Sequence, residues 1–118
     1  MKNEEKDLAP RTKQFARRII RLYATLSKDS AAQVLGRQAL RSGTSVGANY
    51  REANRARSKA EFIAKIGDCL KEVDETAYWL ELLLEETFSP AAKLTPLLAE
   101  ANELVAIFVT ISKRSRGD

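Results

Sequence analysis

Advancing 100° per residue, Phe15, Ile19, Leu22 and Leu26 fall within about 60° of arc, while Lys13, Arg17, Arg21 and Lys28 fall opposite. That spacing predicts an amphipathic helix over roughly residues 10–28, with one core face and one basic face. Asp29 and Ser30 break the pattern, and Ser30-Ala-Ala-Gln33 has the spacing of a capping box, which predicts a second helix over about 31–57. Leu35, Ala39, Ser42, Val46, Tyr50 and Ala53 share one of its faces. Gly36, Gly43 and Gly47 line up beside that face. A glycine inside a helix costs about 1 kcal/mol relative to alanine, so three on one side imply a compensating close approach by a neighbouring helix.

Ser58-Lys-Ala-Glu61 is a second capping box and predicts a third helix over about 59–87. Phe62, Ile66, Cys69, Leu70, Val73, Ala77, Leu80 and Leu84 form its core face. Tyr78, Trp79, Leu82 and Leu83 lie off that face, so the helix becomes apolar nearly all round. Two explanations stand side by side: a subunit interface, or a wide core touched by two neighbouring helices. Thr95-Pro96 is a favourable start for a last helix over about 96–113, with Ser89-Pro90 as a second candidate. Leu97, Ala101, Leu104, Val105, Phe108 and Ile111 are its core residues, and the tail KRSRGD reads as basic and frayed. No stretch alternates with a strand's period of two. The expectation is an all-α, antiparallel up-down-up-down four-helix bundle.

With 118 residues the chain is long enough for one core, so residues 1–118 are read as a single domain. No apolar run approaches the length that spans a bilayer, and the start MKNEEKDLAP is charged; a cytoplasmic protein without membrane contact is expected. Histidine is absent and Cys69 is the single cysteine. Histidine-assisted hydrolysis, cysteine-rich zinc sites and Glu-x-x-His metal centres are thereby set aside. Cys69 itself, on the core face, reads as a small buried hydrophobe. No enzyme activity, cofactor or metal is expected.

Charge is unevenly spread. Residues 1–59 carry 14 Lys or Arg against 5 Asp or Glu, whereas residues 60–118 carry 6 against 11, so a net +9 precedes a net −5. The run GTSVG lacks the Gly-Lys-Ser/Thr ending of a phosphate loop, and no strand precedes it. The arginines are the stronger signal. Arg17, Arg21, Arg37, Arg41, Arg51, Arg55, Arg57 and Lys59 are candidate contacts to RNA or DNA phosphates, since arginine forks suit phosphate oxygens. Tyr23 is the one ring near them expected at the surface, so recognition by base stacking is disfavoured. The alternative is a protein-interaction scaffold whose basic half docks the acidic third helix, within the chain, in another subunit or in another protein. Tyr78, Trp79, Leu82 and Leu83 are the candidate oligomer interface.

Across the two central helices the text resembles a known family. The carrying residues are Arg41-Ser42-Gly43-Thr44-Ser45-Val46-Gly47-Ala48-Asn49, Arg51-Glu52-Ala53, Ser58, Glu61-Phe62, and Lys71-Glu72 leading into Glu75. They resemble the bacterial four-helix-bundle family also called the 23S rRNA intervening-sequence protein family. Where many members carry Ile-Ala-Glu-Gly after the asparagine, this chain has Tyr50-Arg51-Glu52-Ala53, which marks a distinct subgroup. The resemblance implies a left-handed bundle assembled into a homopentameric ring, with no catalytic residues to carry over. A similar accessory protein of diversity-generating retroelements forms a positively charged pentameric barrel that binds nucleic acid and a reverse transcriptase. By that likeness RNA or DNA, further copies of the chain and a reverse transcriptase become expected partners.

Overall fold

The structure, a computed structural model, describes residues 3–117. Four helices, α1 (Asn3–Ala24), α2 (Ser30–Asn54), α3 (Lys59–Glu85) and α4 (Ala91–Ser115), account for nearly all of them, and no strand occurs among the described residues. Connections of four or five residues force each helix to turn back on the one before. Cross-helix contacts confirm the direction. Gly36 lies against Leu26 and Gly47 against Thr12, so α2 descends as α1 rises. Ser42 meets Thr76 while Glu52 meets Lys65, which sets α3 antiparallel to α2. Arg11 reaches Glu100 and Lys93 reaches Thr25, closing α4 back onto α1. The bundle measures 45 × 21 × 20 Å.

The core contains most of the residues the periodicity predicts and adds Leu8, Ala32, Leu83 and Leu94. Phe15, Ile19, Leu22 and Leu26 from α1 meet Ala39, Val46, Tyr50 and Ala53 from α2. Ile66, Cys69, Val73, Ala77 and Leu80 from α3 and Leu97, Ala101, Leu104, Phe108 and Ile111 from α4 complete it. Leu35, Phe62, Leu70, Leu84 and Val105 stand half-buried at its margin. Two hydroxyls sit within this hydrocarbon. Thr76 Oγ1 donates to Ser42 Oγ at 2.7 Å, and Ser42 Oγ donates to the Gln38 carbonyl at 2.9 Å, so neither is left unpaired.

Several helix ends differ from the sequence expectation. Asp29, not Ser30, caps α2: its Oδ1 accepts from the Ala31 and Ala32 amides at 2.8 and 3.2 Å. Gln33 reaches across the turn and donates to the Ser27 carbonyl instead of closing a box. A carboxylate two residues before the free amides outcompetes the serine hydroxyl because it carries charge toward the positive helix end. Ser58 does cap α3, accepting from the Glu61 amide at 3.0 Å. Thr95-Pro96 is not a helix start. α4 begins after Ser89-Pro90, and both Pro96 and Pro10 lie inside helices, on exposed positions where water can satisfy the carbonyl each one frees.

The basic tail is not frayed through its length, for Lys113, Arg114 and Ser115 belong to α4. By length and composition alone α4 is also apolar enough to cross a bilayer, contrary to the sequence reading. Its stripe from Leu94 to Ile111 is nonetheless packed into the bundle.

Candidate nucleic-acid interface

The three glycines determine how the basic side chains are presented. A Cβ at Gly36 would stand 2.5 Å from Leu26 Cδ2, one at Gly43 would stand 2.9 Å from Ile19 Cγ1, and one at Gly47 would stand 3.2 Å from Thr12 Oγ1. All three meet α1, so the glycine side of α2 is the α1–α2 seam. The approach is mostly of α1 side chains onto the α2 backbone; only at Gly47 does backbone lie near, the Thr12 carbonyl carbon being 3.5 Å from that Cβ.

Beyond Gly47 the seam opens into a groove of about 440 Å³. Ala9, Ala16, Gly47 and Ala48 keep its walls small, and Lys13, Arg51 and Arg55 stand around it. A second groove of about 330 Å³ lies on the other flank of α1, against α4. Arg18, Arg21 and Lys93 line it together with Leu22, Thr25 and Leu97. Among the described residues no carboxylate lines either groove.

The eight predicted basic residues divide into two sets. Arg17, Arg21, Arg37, Arg51, Arg55 and Lys59 are exposed, and none is in an ion pair among the described residues. Arg41 is committed elsewhere: its guanidinium bridges Glu75 at 2.9 Å and Glu72 at 3.3 Å on its own α3. Those carboxylates, Glu75 first, hold its pKa above the ordinary arginine value. Arg57 lies 3.7 Å from Glu61, one turn away and fully at the surface, a pairing of little strength. Other acids are absorbed in the same way. Glu52 pairs with Lys65, and Glu100 and Glu103 hold Arg11 at 2.7 Å each. The expected meeting of arginines with the acidic third helix therefore occurs within the chain, but for Arg41 and not for Arg51 or Arg55.

Sequence reasoning left out Arg18 and Lys93. Arg18 lies between the core and basic faces of the α1 wheel, and Lys93 precedes the helix start read at Thr95-Pro96. Lys13 was visible on the basic face of α1, yet only the fold shows that it joins Arg51 and Arg55. Tyr23, expected at the surface, is half-buried with its ring against Gly36. Tyr50 is buried, 6.0 Å from the Phe108 ring. Neither offers a stacking platform.

The predicted oligomer-interface residues are also divided. Tyr78 is 53% exposed and stacks edge-on against Trp79, while Leu82 is half-buried. Leu83 is fully buried in the bundle and is not available to a partner: seven residues beyond Thr76, it falls on the inward face of α3. The Trp79 indole Nε1 is buried without a hydrogen-bond partner among the described residues. Cys69 is buried, its Sγ directed at the Val46 carbonyl at 3.7 Å, and loss of solvent pushes its pKa up to about 12. A thiol in that state is inert at neutral pH. Among the described residues no three His, Cys, Asp or Glu side chains converge as a metal site would require.

The sequence pattern of the 23S rRNA-intervening sequence protein family matches residues 4–110. The chain belongs to that family. In a structural comparison, a crystallised protein of unknown function from the S23 ribosomal protein family of Bacteroides thetaiotaomicron superposes with a TM-score of 0.85. It is 37% identical in sequence, and the match covers 93% of this chain and 98% of that one. No functionally curated protein matches. The four-helix architecture of this intervening-sequence family member is shared with that crystallised relative.

Proposed function

We propose that this intervening-sequence family member is a non-enzymatic, oligomeric helical-bundle protein of the cytoplasm that binds RNA or DNA through backbone charge. One observation carries the reading. Six exposed cations on α1, α2, the turn after α2 and the first residue of α3 lack carboxylate partners among the described residues, whereas acids of α3 and α4 take up Arg41 and Arg11, and Glu52 takes up Lys65. Unpaired arginines in such density repel one another, and a polyanion relieves that repulsion while releasing its own counterions. Assembly into a ring, a pentamer by family resemblance, repeats the basic surface in every copy and raises avidity without new contacts. The exposed Tyr78 and Val34 and the half-buried Leu82 are apolar area for that assembly.

The test is fluorescence anisotropy with structured RNA and with duplex DNA across a salt series. Affinity that falls steeply as salt rises supports phosphate contacts. Binding weaker than about 1 µM even at low salt removes the proposal.

A second reading is favoured by Arg41, which already grips acids of α3. In it the chain is an interaction scaffold, and Arg51 and Arg55 grip the acids of a neighbouring copy or another protein, for which a reverse transcriptase is the partner that resemblance suggests. Charge reversal at Arg51 or Arg55 then breaks the assembly, by light scattering, while helix content is kept.

A further inference from the structure

The two grooves flanking α1 carry the reading further. We infer that they are paired phosphate seats, Lys13, Arg51 and Arg55 on one flank and Arg18, Arg21 and Lys93 on the other, and that a double-stranded nucleic acid lies across α1 and occupies both. The inference rests on the proposal that the basic surface binds nucleic acid, and adds to it the site, the partner's form and two residues, Arg18 and Lys93, that periodicity did not single out.

Three observations support it. First, each groove brings three cations together with no carboxylate among the described residues of its lining. Lys93 Nζ donates to Thr25 Oγ1 at 3.3 Å, a neutral partner that fixes the ammonium without cancelling its charge. The Ala and Gly walls of the first groove leave room for a phosphate between the arginine stems, where bulkier side chains would fill it.

Second, the seats are too far apart for one small anion. Lys13 and Arg21 are separated by about 12 Å along α1 at 1.5 Å per residue, and the helix body, about 10 Å across, stands between the grooves. A nucleotide or an inorganic phosphate fills one seat at most. A ligand that fills both carries charges a dozen ångströms apart on one frame. Duplex phosphates meet that demand, with one charge per about 1.7 Å of axis and a groove about 12 Å wide between backbones.

Third, neither groove offers the exposed ring that a single strand needs among the described residues; Tyr50 lines the first groove but is packed into the core. Tyr23 is packed against Gly36. Tyr78 and Trp79 are on α3, the one helix that contributes to neither groove. Single-strand binding relies on such stacking, whereas duplex binding by shape and charge does not.

The experiment compares 20-base-pair RNA and DNA duplexes with a single strand of the same sequence, by anisotropy over a salt series. The proteins are the full chain and three variants: Lys13→Gln/Arg51→Gln/Arg55→Gln, Arg18→Gln/Arg21→Gln/Lys93→Gln, and a control, Lys71→Gln/Lys113→Gln/Arg116→Gln, that removes equal charge elsewhere. Glutamine keeps helix propensity and much of each stem, and circular dichroism checks the fold. The expected result is tighter binding of duplex than of single strand. Each groove variant then binds at least tenfold more weakly at low salt, with a log–log salt slope shallower by about 2–3. The control keeps the unmodified chain's slope.

Unchanged duplex slopes in both groove variants overturn the seats while leaving the basic-surface reading intact. Absence of salt-dependent binding by the unmodified chain overturns both. A preference for single strand overturns the duplex assignment. Dissociation of the assembly in a groove variant, seen by light scattering, identifies the grooves as subunit contacts and overturns the inference in favour of the scaffold.

Discussion

Gly43 of α2 faces Ile19 of α1 so closely that a Cβ at position 43 would stand 2.9 Å from Ile19 Cγ1 and 3.3 Å from Cγ2. Ile19 is fully buried and β-branched, so it cannot swing aside. Gly43→Ala gains about 1 kcal/mol of helix propensity but forces the seam apart, at a cost of about 1–3 kcal/mol. Net destabilisation is expected in urea denaturation. Gly67 in α3 is the contrast, for nothing lies within 4 Å of a Cβ there. Gly67→Ala should stabilise by about 0.5–1 kcal/mol. Equal effects at both positions would contradict the packing assigned to the seam.

Arg11 is the main polar tie between α1 and α4, whose contact is the least extensive of the four seams. Its Nε and Nη2 fork onto the two Glu100 oxygens at 2.7 and 2.9 Å, and Nη2 also donates to Glu103. The fork, with Glu100 the larger influence, raises the Arg11 pKa and keeps the charge in place at any workable pH. Arg11→Ala should cost about 1–2 kcal/mol, shrinking in high salt. Arg11→Lys should recover only part, since an ammonium cannot make the paired bonds. Chemical denaturation at low and high salt reads both.

Thr87 adopts φ +56°, the left-handed position that ends α3. The Phe88 amide donates to the Leu83 carbonyl and the Thr87 amide to Leu84, the two bonds of a Schellman ending. Glycine is the usual residue there, and a β-branched side chain pays about 1–2 kcal/mol. Thr87→Gly should therefore raise stability by about 1 kcal/mol, seen as a melting temperature higher by about 4 °C.

Cys69 links stability to alkaline pH. Its thiol pKa rises from 9.0 to about 12 on folding because burial disfavours the thiolate. Only the unfolded chain loses this proton between those values, so the stabilisation is complete below about pH 9 and declines as pH rises toward 12. The slope is about 1.4 kcal/mol per pH unit. Cys69→Ala should flatten that part of the stability curve, measured by denaturation at pH 8, 9, 10 and 11. An unchanged slope would place the cysteine in contact with solvent.

The helices and their buried stripes were legible because residues such as Phe15, Ile19 and Leu22, or Val73, Ala77 and Leu80, repeat with the helical period and are read without knowing any neighbour. The ends were less so. Asp29 and Ser30 both suit a cap by residue type, and the carboxylate's charge at the positive helix end decides between them. Proline at 10 and 96 looked like a boundary, yet an exposed helix turn tolerates it. What the sequence could not show is which flanks become adjacent. Arg41 and Arg51 are alike in the text, but one falls opposite Glu72 and Glu75 and the other beside a groove whose described lining holds no acid. Leu83 looked like Leu82 for the same reason, and a small rotation of α3 buries one and leaves the other half in view.

The hydroxyl pair of Ser42 and Thr76 acts as an index mark for assembly of the bundle. Much of the interior is interchangeable aliphatic surface, against which a helix displaced by one turn would still bury its stripe. Displacing α3 along α2 by that turn forfeits the bond between the two hydroxyls, about 0.5–1.5 kcal/mol, and leaves each with only the carbonyl of its own helix, Gln38 for Ser42 and Glu72 for Thr76. One alignment is thereby preferred over its neighbours, and the same alignment delivers Arg41 to Glu72 and Glu75, leaving the flanks of α1 as the places where positive charge stays uncompensated.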